Sequence, residues 1–396
     1  FDDFIVSQPY YDDGTSGFAH KGRLLLFYGS PTGPDSTYNW QFTGSTTGAE
    51  ATNGYAAGYI GDVNNDGYNE IMIGSYSYSG GSSDEGRAQL FYGSPAYPEI
   101  NPYSSIAGIV SGVSFGSVIK ILKDVNNDGF IDLCIGAPYF DNGSVDEGKV
   151  FGYWGTATGF SPTANWTAEG NQDNANFGYS LGAFKDINND SYSDLLIGAP
   201  GFDITNIDQG RAFIYKGTPT GLYYLPAKIY NGTQAGAKLG YQVAVAGDLN
   251  ADGFEDFLLG APYFDDAISN QGIVYMYEGL ISGFPVTSSK FVLGNQTDAM
   301  FGSGITPIGD VNIDGYNDVL ISSPLYDNIL INAGKVQLYN GGEGDDALTL
   351  LYTYEGTQAS AQFGFATGGY GDVNGDEIQD FAIGAPFNDN LYTDNG

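Results

Sequence analysis

The residues best placed to do chemistry are acidic, and they recur. The tract Asp62-Val-Asn-Asn-Asp-Gly-Tyr-Asn-Glu70 returns beginning at Asp124, Asp186, Asp248, Asp310 and Asp372, each start 62 residues after the last. Numbered from its first residue, the tract carries carboxylates at positions 1, 5 and 9, an amide oxygen at 3 and a backbone carbonyl at 7. Glycine at position 6 permits a sharp turn that lets these oxygens converge on one point. Hard oxygen donors in that number suit Ca²⁺ rather than Zn²⁺ or copper. The first half of the pattern resembles an EF-hand loop, but this one ends at position 9 in a strand instead of at position 12 in a helix.

Six ligand sets follow, for up to six Ca²⁺ ions. They are Asp62, Asn64, Asp66, the Tyr68 carbonyl and Glu70; then Asp124, Asn126, Asp128, the Phe130 carbonyl and Asp132; then Asp186, Asn188, Asp190, the Tyr192 carbonyl and Asp194. The later sets are Asp248, Asn250, Asp252, the Phe254 carbonyl and Asp256; Asp310, Asn312, Asp314, the Tyr316 carbonyl and Asp318; and Asp372, Asn374, Asp376, the Ile378 carbonyl and Asp380. Ser191 and Glu377 stand where the other loops have glycine. A positive φ costs energy in a residue with a Cβ, so these two loops rank as the weaker sites. The competing reading is a polar hairpin turn whose Asp and Asn cap their own backbone. Six complete donor sets, with three carboxylates in each that repel one another without a cation, favour the metal.

The elements that must hold these loops repeat with them. Nine residues before the first Asp stands Phe-Gly, at Phe115, Phe177, Phe301 and Phe363, with drifted copies at Leu239-Gly240 and Asn53-Gly54. Twelve residues after that Asp stands Gly-Ala-Pro, at Gly136, Gly198, Gly260 and Gly384, degraded at Ser322-Ser323-Pro324, Gly74-Ser75-Tyr76 and Ser7-Gln8-Pro9. Phe1-Asp2-Asp3 aligns with Phe254-Glu255-Asp256, so the chain opens at the end of one further copy. Each unit reads as four short strands: one from Phe-Gly into the acidic loop, an apolar run such as Asp194 to Gly198, an aromatic and β-branched tract such as Lys149 to Gly155, and a weaker fourth such as Phe291 to Leu293. No stretch sustains a 3.6-residue period. A repeated four-stranded unit predicts an all-β propeller, one domain over residues 1–396, with repeats starting near 1 (partial), 53, 115, 177, 239, 301 and 363 (partial).

The Phe-Gly, Asp-x-Asn-x-Asp-Gly-x-x-Asp and Gly-Ala-Pro marks resemble FG-GAP repeats, which build the N-terminal β-propeller of integrin α chains. The resemblance covers essentially the whole chain. It implies seven blades, with the acidic loops between first and second strands, all on one face. It also implies that the loops after Gly-Ala-Pro lie on the opposite face, where protein ligands dock. The strand inventory is six first, seven second, six third and six fourth strands, 25 in place of 28. Seven blades are therefore expected with incomplete terminal blades, on a window of a longer chain or a ring closed by a partner segment. Six blades with one surplus strand is the competing count.

Composition narrows the function. Thirteen Lys+Arg against 47 Asp+Glu give a net charge of −34, which excludes holding nucleic acid by counterion release and disfavours anionic membranes. Thirty-one Tyr, 25 Phe and 3 Trp exclude a disordered acidic chain. One cysteine, Cys134, excludes a disulfide framework, and one histidine, His20, excludes every motif that needs two. No apolar run approaches the roughly 20 residues of a membrane span. The chain starts at Phe1 with no signal segment behind it and reads as mature or trimmed.

Other candidates have blander readings. Gly112-Val-Ser-Phe-Gly116 matches a nucleophile elbow at Ser114 but coincides with the Phe-Gly mark and has no histidine partner. His20 reads as a solvated loop residue and Cys134 as a buried apolar one. The loops carrying Tyr10, Tyr11, Asp12, Tyr139, Phe140, Asp141, Phe202, Asp203, Tyr263, Phe264, Asp265, Tyr326 and Asp327 read as interblade packing, because repetition favours structure over a unique site. Tyr76, Tyr78 and Gly80-Gly81-Ser82-Ser83 break the repeat and are the better binding candidates. Asn142, Asn165, Asn231 and Asn295 head glycosylation sequons. The expectation is an extracellular or cell-surface, calcium-stabilised glycoprotein, not an enzyme, that recognises protein partners through a loop face in adhesion. The alternatives are a glycan-binding lectin and a self-assembling subunit of a surface filament or matrix.

Overall fold

The computed structural model describes residues 1–11, 21–44, 56–80, 83–95, 98, 102–108, 110–157, 159–281 and 283–389. Asp12, His20, Asn53-Gly54 and Gly81-Ser82 of the sequence reading lie outside them. The first sheet is β1 (Phe4–Gln8), β2 (Arg23–Phe27) and β3 (Trp40–Thr43). The second is β4 (Ala56–Gly61), β5 (Glu70–Ser75), β6 (Arg87–Phe91) and β7 (Ser104–Ala107). In the third, β8 (Val118–Lys123), β9 (Asp132–Ala137) and β10 (Lys149–Tyr153) precede a small hairpin, β11 (Gly155–Thr156) with β12 (Gly159–Phe160), before β13 (Trp166–Glu169) completes the sheet. The fourth runs β14 (Ser180–Phe184), β15 (Asp194–Ala199), β16 (Arg211–Tyr215) and β17 (Lys228–Asn231), and the fifth β18 (Gln242–Gly247), β19 (Asp256–Ala261), β20 (Ile273–Tyr277) and β21 (Lys290–Leu293). The sixth is β22 (Gly304–Gly309), β23 (Asp318–Ser323), β24 (Lys335–Asn340) and β25 (Thr349–Glu355), and the last is β26 (Ala366–Gly371) with β27 (Asp380–Gly384). All neighbours pair antiparallel. Apart from the β11–β12 hairpin this is the expected inventory of 25 strands.

Every residue of β5, β9, β15, β19 and β23 is buried. A strand can be apolar on both faces only where each face meets another layer, and here the layers are the neighbouring sheets. One core cluster joins Phe184, Leu196 and Ile214 of the fourth sheet to Val243, Phe257 and Leu259 of the fifth, and others bridge each successive pair from the first sheet to the seventh. Successive first strands, β4, β8, β14, β18, β22 and β26, lie beside one another around the axis.

The sequence marks are the interlocks between sheets. Phe115, Phe177 and Phe301 are buried, and the glycine after each has a positive φ of 88°, 86° and 85°. The carbonyl of that second glycine abuts the glycine of the preceding Gly-Ala-Pro, so a Cβ at Gly136, Gly198 or Gly260 would collide with the backbone of Gly178, Gly240 or Gly302.

The ring closes with the same joint it uses internally. The Ser193 amide, at loop position 8, donates to the Asp124 carbonyl of the preceding loop at 3.3 Å, and Asn317 donates to Asp248 at 3.5 Å. Asp2, the equivalent residue, donates to the Asp372 carbonyl at 2.7 Å, and its own carboxylate accepts the Asp372 amide at 2.9 Å. Seven sheets thus stand in one circuit among the described residues: five of four strands, one of three and one of two. The all-β propeller is as expected, and the Asp2–Asp372 joint favours the seven-blade count over six.

Candidate metal centre

The acidic tracts sit between first and second strands. Because the strands alternate in direction, these loops share an end of the ring with the third-to-fourth connections. The chain orders each loop through its own side chains. In the first, the Asp62 carboxylate accepts the amides of Asp66 (3.0 Å) and Gly67 (2.8 Å), while Asn64 Oδ1 accepts Asp66 N–H at 2.9 Å and Asp66 Oδ1 accepts Tyr68 N–H at 3.0 Å. The set repeats in the loops at Asp124, Asp248, Asp310 and Asp372. In the loop at Asp186, the amides of Asp190, Ser191 and Tyr192 make the corresponding bonds to Asp186 and Asp190. Ser191 and Glu377 adopt φ of 72° and 69° at the glycine position, the left-handed conformation expected there. Position 4 is also left-handed, at Asn65, Asn127, Asn189 and Ala251 (58°) and Ile313 (61°). The sequence reading missed this second constraint, which the recurrent Asn at position 4 signals.

The acid at position 9 opens the second strand and is fully buried in five loops, as Glu70, Asp132, Asp194, Asp256 and Asp318. One of its oxygens accepts the position-2 amide, as from Val125 to Asp132 at 2.8 Å. The other accepts the amide of a glycine 23 residues on, Gly155, Gly217 or Gly279, each at 2.8 Å. Burial pushes Asp132, Asp194 and Asp256 up to about 7 and Asp318 up to about 6. The two backbone amides pull them back, and the carboxylates at positions 5 and 1 push them further up.

Among the described residues, the first loop alone brings three carboxylates within 4.8 Å of one another: Asp62, Asp66 and Glu70. Glu70 is the one position-9 acid with an extra methylene. Its carboxylate still takes the Val63 amide at 2.6 Å but lies 3.3 Å from the Gly93 amide, where the aspartates of the second to fourth loops lie 2.8 Å from theirs.

At the other end of the ring, the aromatic and acidic loops are built into the scaffold. Asp141, Asp203, Asp265 and Asp327 each accept a backbone amide five residues on, at 2.6 to 2.7 Å. Tyr11, Tyr78, Phe202 and Tyr326 lie under Arg23, Arg87, Arg211 and Lys335, the first residue of the third strand in each sheet, at 3.7 to 3.9 Å. Tyr78 therefore belongs to the repeat after all. Ser114 has φ 53° and is followed by β8, not by a helix, so the nucleophile-elbow context is absent. Each sequon asparagine is engaged: Asn142 donates to Glu169, and Asn165, Asn231 and Asn295 accept from Trp154, Arg211 and Lys335.

With this geometry in hand, the FG-GAP repeat family pattern matches residues 177–215 and 239–277, the first three strands of the fourth and fifth sheets. The chain is an integrin-like FG-GAP repeat protein. It is 37% identical to integrin alpha-2 of Bos taurus over 164 residues, 39% of this chain and 13% of that one. Against integrin alpha-8 of Gallus gallus it is 30% identical over 222 residues, 54% of this chain and 20% of the other. The FG-GAP chain thus spans a fifth or less of the length of these relatives. Among solved structures, that of Saccharomyces cerevisiae Sqt1 superposes with a TM-score of 0.51 at 10% identity, covering 93% of this chain and 77% of that one, a likeness of fold alone. No helix of the described residues is long and apolar enough to cross a membrane.

Proposed function

We propose that this FG-GAP propeller is an extracellular adhesion or recognition module, stabilised by Ca²⁺ in its acidic loops, that binds protein partners through the face opposite those loops. One observation carries the calcium reading: all-oxygen donor sets recur at equal spacing around one end of the ring, and in the first loop three carboxylates already lie within 4.8 Å. The donor chemistry fits a hard divalent cation. Asp62, Asn64, Asp66, the Tyr68 carbonyl and Glu70 would hold it there, and the cation would supply the positive charge that three adjacent carboxylates need.

The recognition face rests on the loops between second and third strands. Their tips expose Val145, Ile207 and Ile331 at equivalent positions, 58%, 73% and 69% accessible. Each tip is pinned to the loop that follows the fourth strand: the Val145, Ile207 and Ile331 carbonyls accept the amides of Asn174, Gly236 and Ser360 at 2.7 to 2.9 Å. Apolar side chains displayed on a braced backbone bind a protein surface without a large ordering cost. The alpha-chain relatives support a protein partner and a location outside the cell.

Chelation tests the first half. Excess EDTA is expected to lower the melting temperature by several degrees, and Ca²⁺ to restore it, since a ligand of the folded state stabilises that state. A melting curve indifferent to both overturns the calcium reading. Ile207→Asp with Ile331→Asp tests the second half: adhesion to extracellular matrix proteins should fall with the melting temperature unchanged, and full adhesion by the double variant removes this face from the proposal.

A further inference from the structure

A groove of about 490 Å³ runs between the third and fourth sheets at the outer rim of the ring. Its volume lies in the range of small-molecule sites. Glu169 and Asn171 at the end of β13 line it, together with Phe202, Arg211 and Phe213 of the fourth sheet and Tyr224 in the connection after β16.

Arg211 is the unusual member. Its guanidinium lies 3.9 Å from the centre of the Phe202 ring and 5.7 Å from that of Phe213. Its Nε donates to Asn231 Oδ1 at 2.7 Å. Among the described residues its terminal amines have no hydrogen-bond partner, so most of the donor fork of this lining residue is unsatisfied. The chain has three arginines, and Arg23 is held differently, through Nε and Nη2 on Gln8 Oε1 at 2.9 and 2.5 Å, while Arg87 is buried. Arg211 is half-buried and pre-positioned by its stack, the arrangement in which an arginine takes a carboxylate with little loss of freedom. The one carboxylate in the lining, Glu169, is compensated by Lys149 Nζ at 2.6 Å. In a chain of net charge −34 the groove is thus a local site where an anion meets no uncompensated lining acid.

The other groups say which anion. Tyr224 is 68% accessible and offers an aromatic face, while Glu169, Asn171 and Thr167 supply hydrogen-bonding groups in the same lining. Aromatic face, polar groups and guanidinium together match a ring that is apolar on one side, hydroxylated at its edge and acidic at one carbon. We propose that this groove binds a carboxylated sugar unit, a uronate, with the carboxylate on the Arg211 terminal amines, hydroxyls toward Glu169 and Asn171, and the ring against Tyr224. This site is separate from the calcium loops and from the apolar loop tips, so it stands or falls without either.

Calorimetric titration of the calcium-loaded protein with an oligoglucuronate, the matching neutral oligoglucoside and a glutamate-rich peptide tests it. The oligoglucuronate is expected to bind and the other two not. Arg211→Met should weaken the binding by about tenfold or more, as expected on losing a charged hydrogen-bonded pair, with Arg211→Lys retaining part of it. Arg211 also braces Phe202, so each variant is checked by its melting temperature, and the exposed Tyr224→Ala, expected to weaken binding several-fold without unfolding, carries the test if Arg211→Met does not fold. No heat with oligoglucuronate, equal binding of the neutral sugar, preference for the peptide, or unchanged affinity in Arg211→Met or Tyr224→Ala each overturns the proposal.

Discussion

At the scale of single residues, the position-9 acid has a structural duty besides the metal duty proposed for it, and the sequence displays only the second. Spacing marks Asp256 as a metal ligand, but its side chain also ties the Leu249 amide to the Gly279 amide, at 2.7 and 2.8 Å, without exposure to solvent. The glycine 23 residues on is constant in five sheets, yet it reads as the end of a third strand until the fold brings it back. Asp256→Asn should turn one of these acceptors into a donor facing a donor and cost about 1–3 kcal/mol, read as a lower urea midpoint in both calcium-loaded and chelated protein. An unchanged midpoint in chelator would leave the residue with its metal duty alone. Lys335 gives a pH dependence. Burial lowers it to about 8 against a weaker upward pull from Glu355, while it sits 3.7 Å over Tyr326 and donates to Asn295 at 2.8 Å. From pH 8 to 10 the unfolded chain keeps a proton that the folded one has released, so stability rises with pH through this window and is flat, from this group, just below it. Thermal melts of the wild type and Lys335→Met from pH 7 to 9.5 should show the wild type gaining on the variant above pH 8. A constant difference would refute the assignment.

At the scale of elements, strand identity was legible because each second strand is an uninterrupted apolar run and each third strand an aromatic one, bounded by glycine. What could not be read was how neighbouring elements touch. The Gly of Gly-Ala-Pro looks like a turn residue; in the fold Gly136, Gly198 and Gly260 lie within a second strand, against the carbonyl of the glycine in the next sheet's Phe-Gly or Leu-Gly mark. Gly260→Ala should therefore force two sheets apart and cost about 1–3 kcal/mol, the usual range for overpacking. Gly58→Ala, on the first strand β4 where an added Cβ meets nothing within 4 Å, should be nearly neutral. Equal melting temperatures for the two variants would contradict the interlock. The cation–aromatic stacks were likewise hidden, because nine to twelve residues separate each ring from its cation and only the hairpin between the second and third strands closes that distance.

At the scale of the whole molecule, periodicity gave the ring before any coordinates, and the remnant Phe1-Asp2-Asp3 hinted at a further unit. The decision between six and seven blades needed geometry: Asp2 meets Asp372 as Ser193 meets Asp124. The net charge, first a bulk property, is partitioned by the fold, with 18 of the 47 acids at positions 1, 5 and 9 of the six loops at one end (three in each). Cys134, in the middle of β9 with no exposure and a thiol that burial holds well above its ordinary value, lies within this circuit. A thiol reagent attacks a thiolate it can reach, and here it can do so only when the third sheet parts from its neighbours. The single cysteine is therefore a clock: its labelling time in excess reagent measures how often the circuit breaks, and on the calcium proposal this interval should shorten in excess chelator. Labelling at the speed of a free thiol in the native protein would mean that the ring breathes far faster than its packing implies.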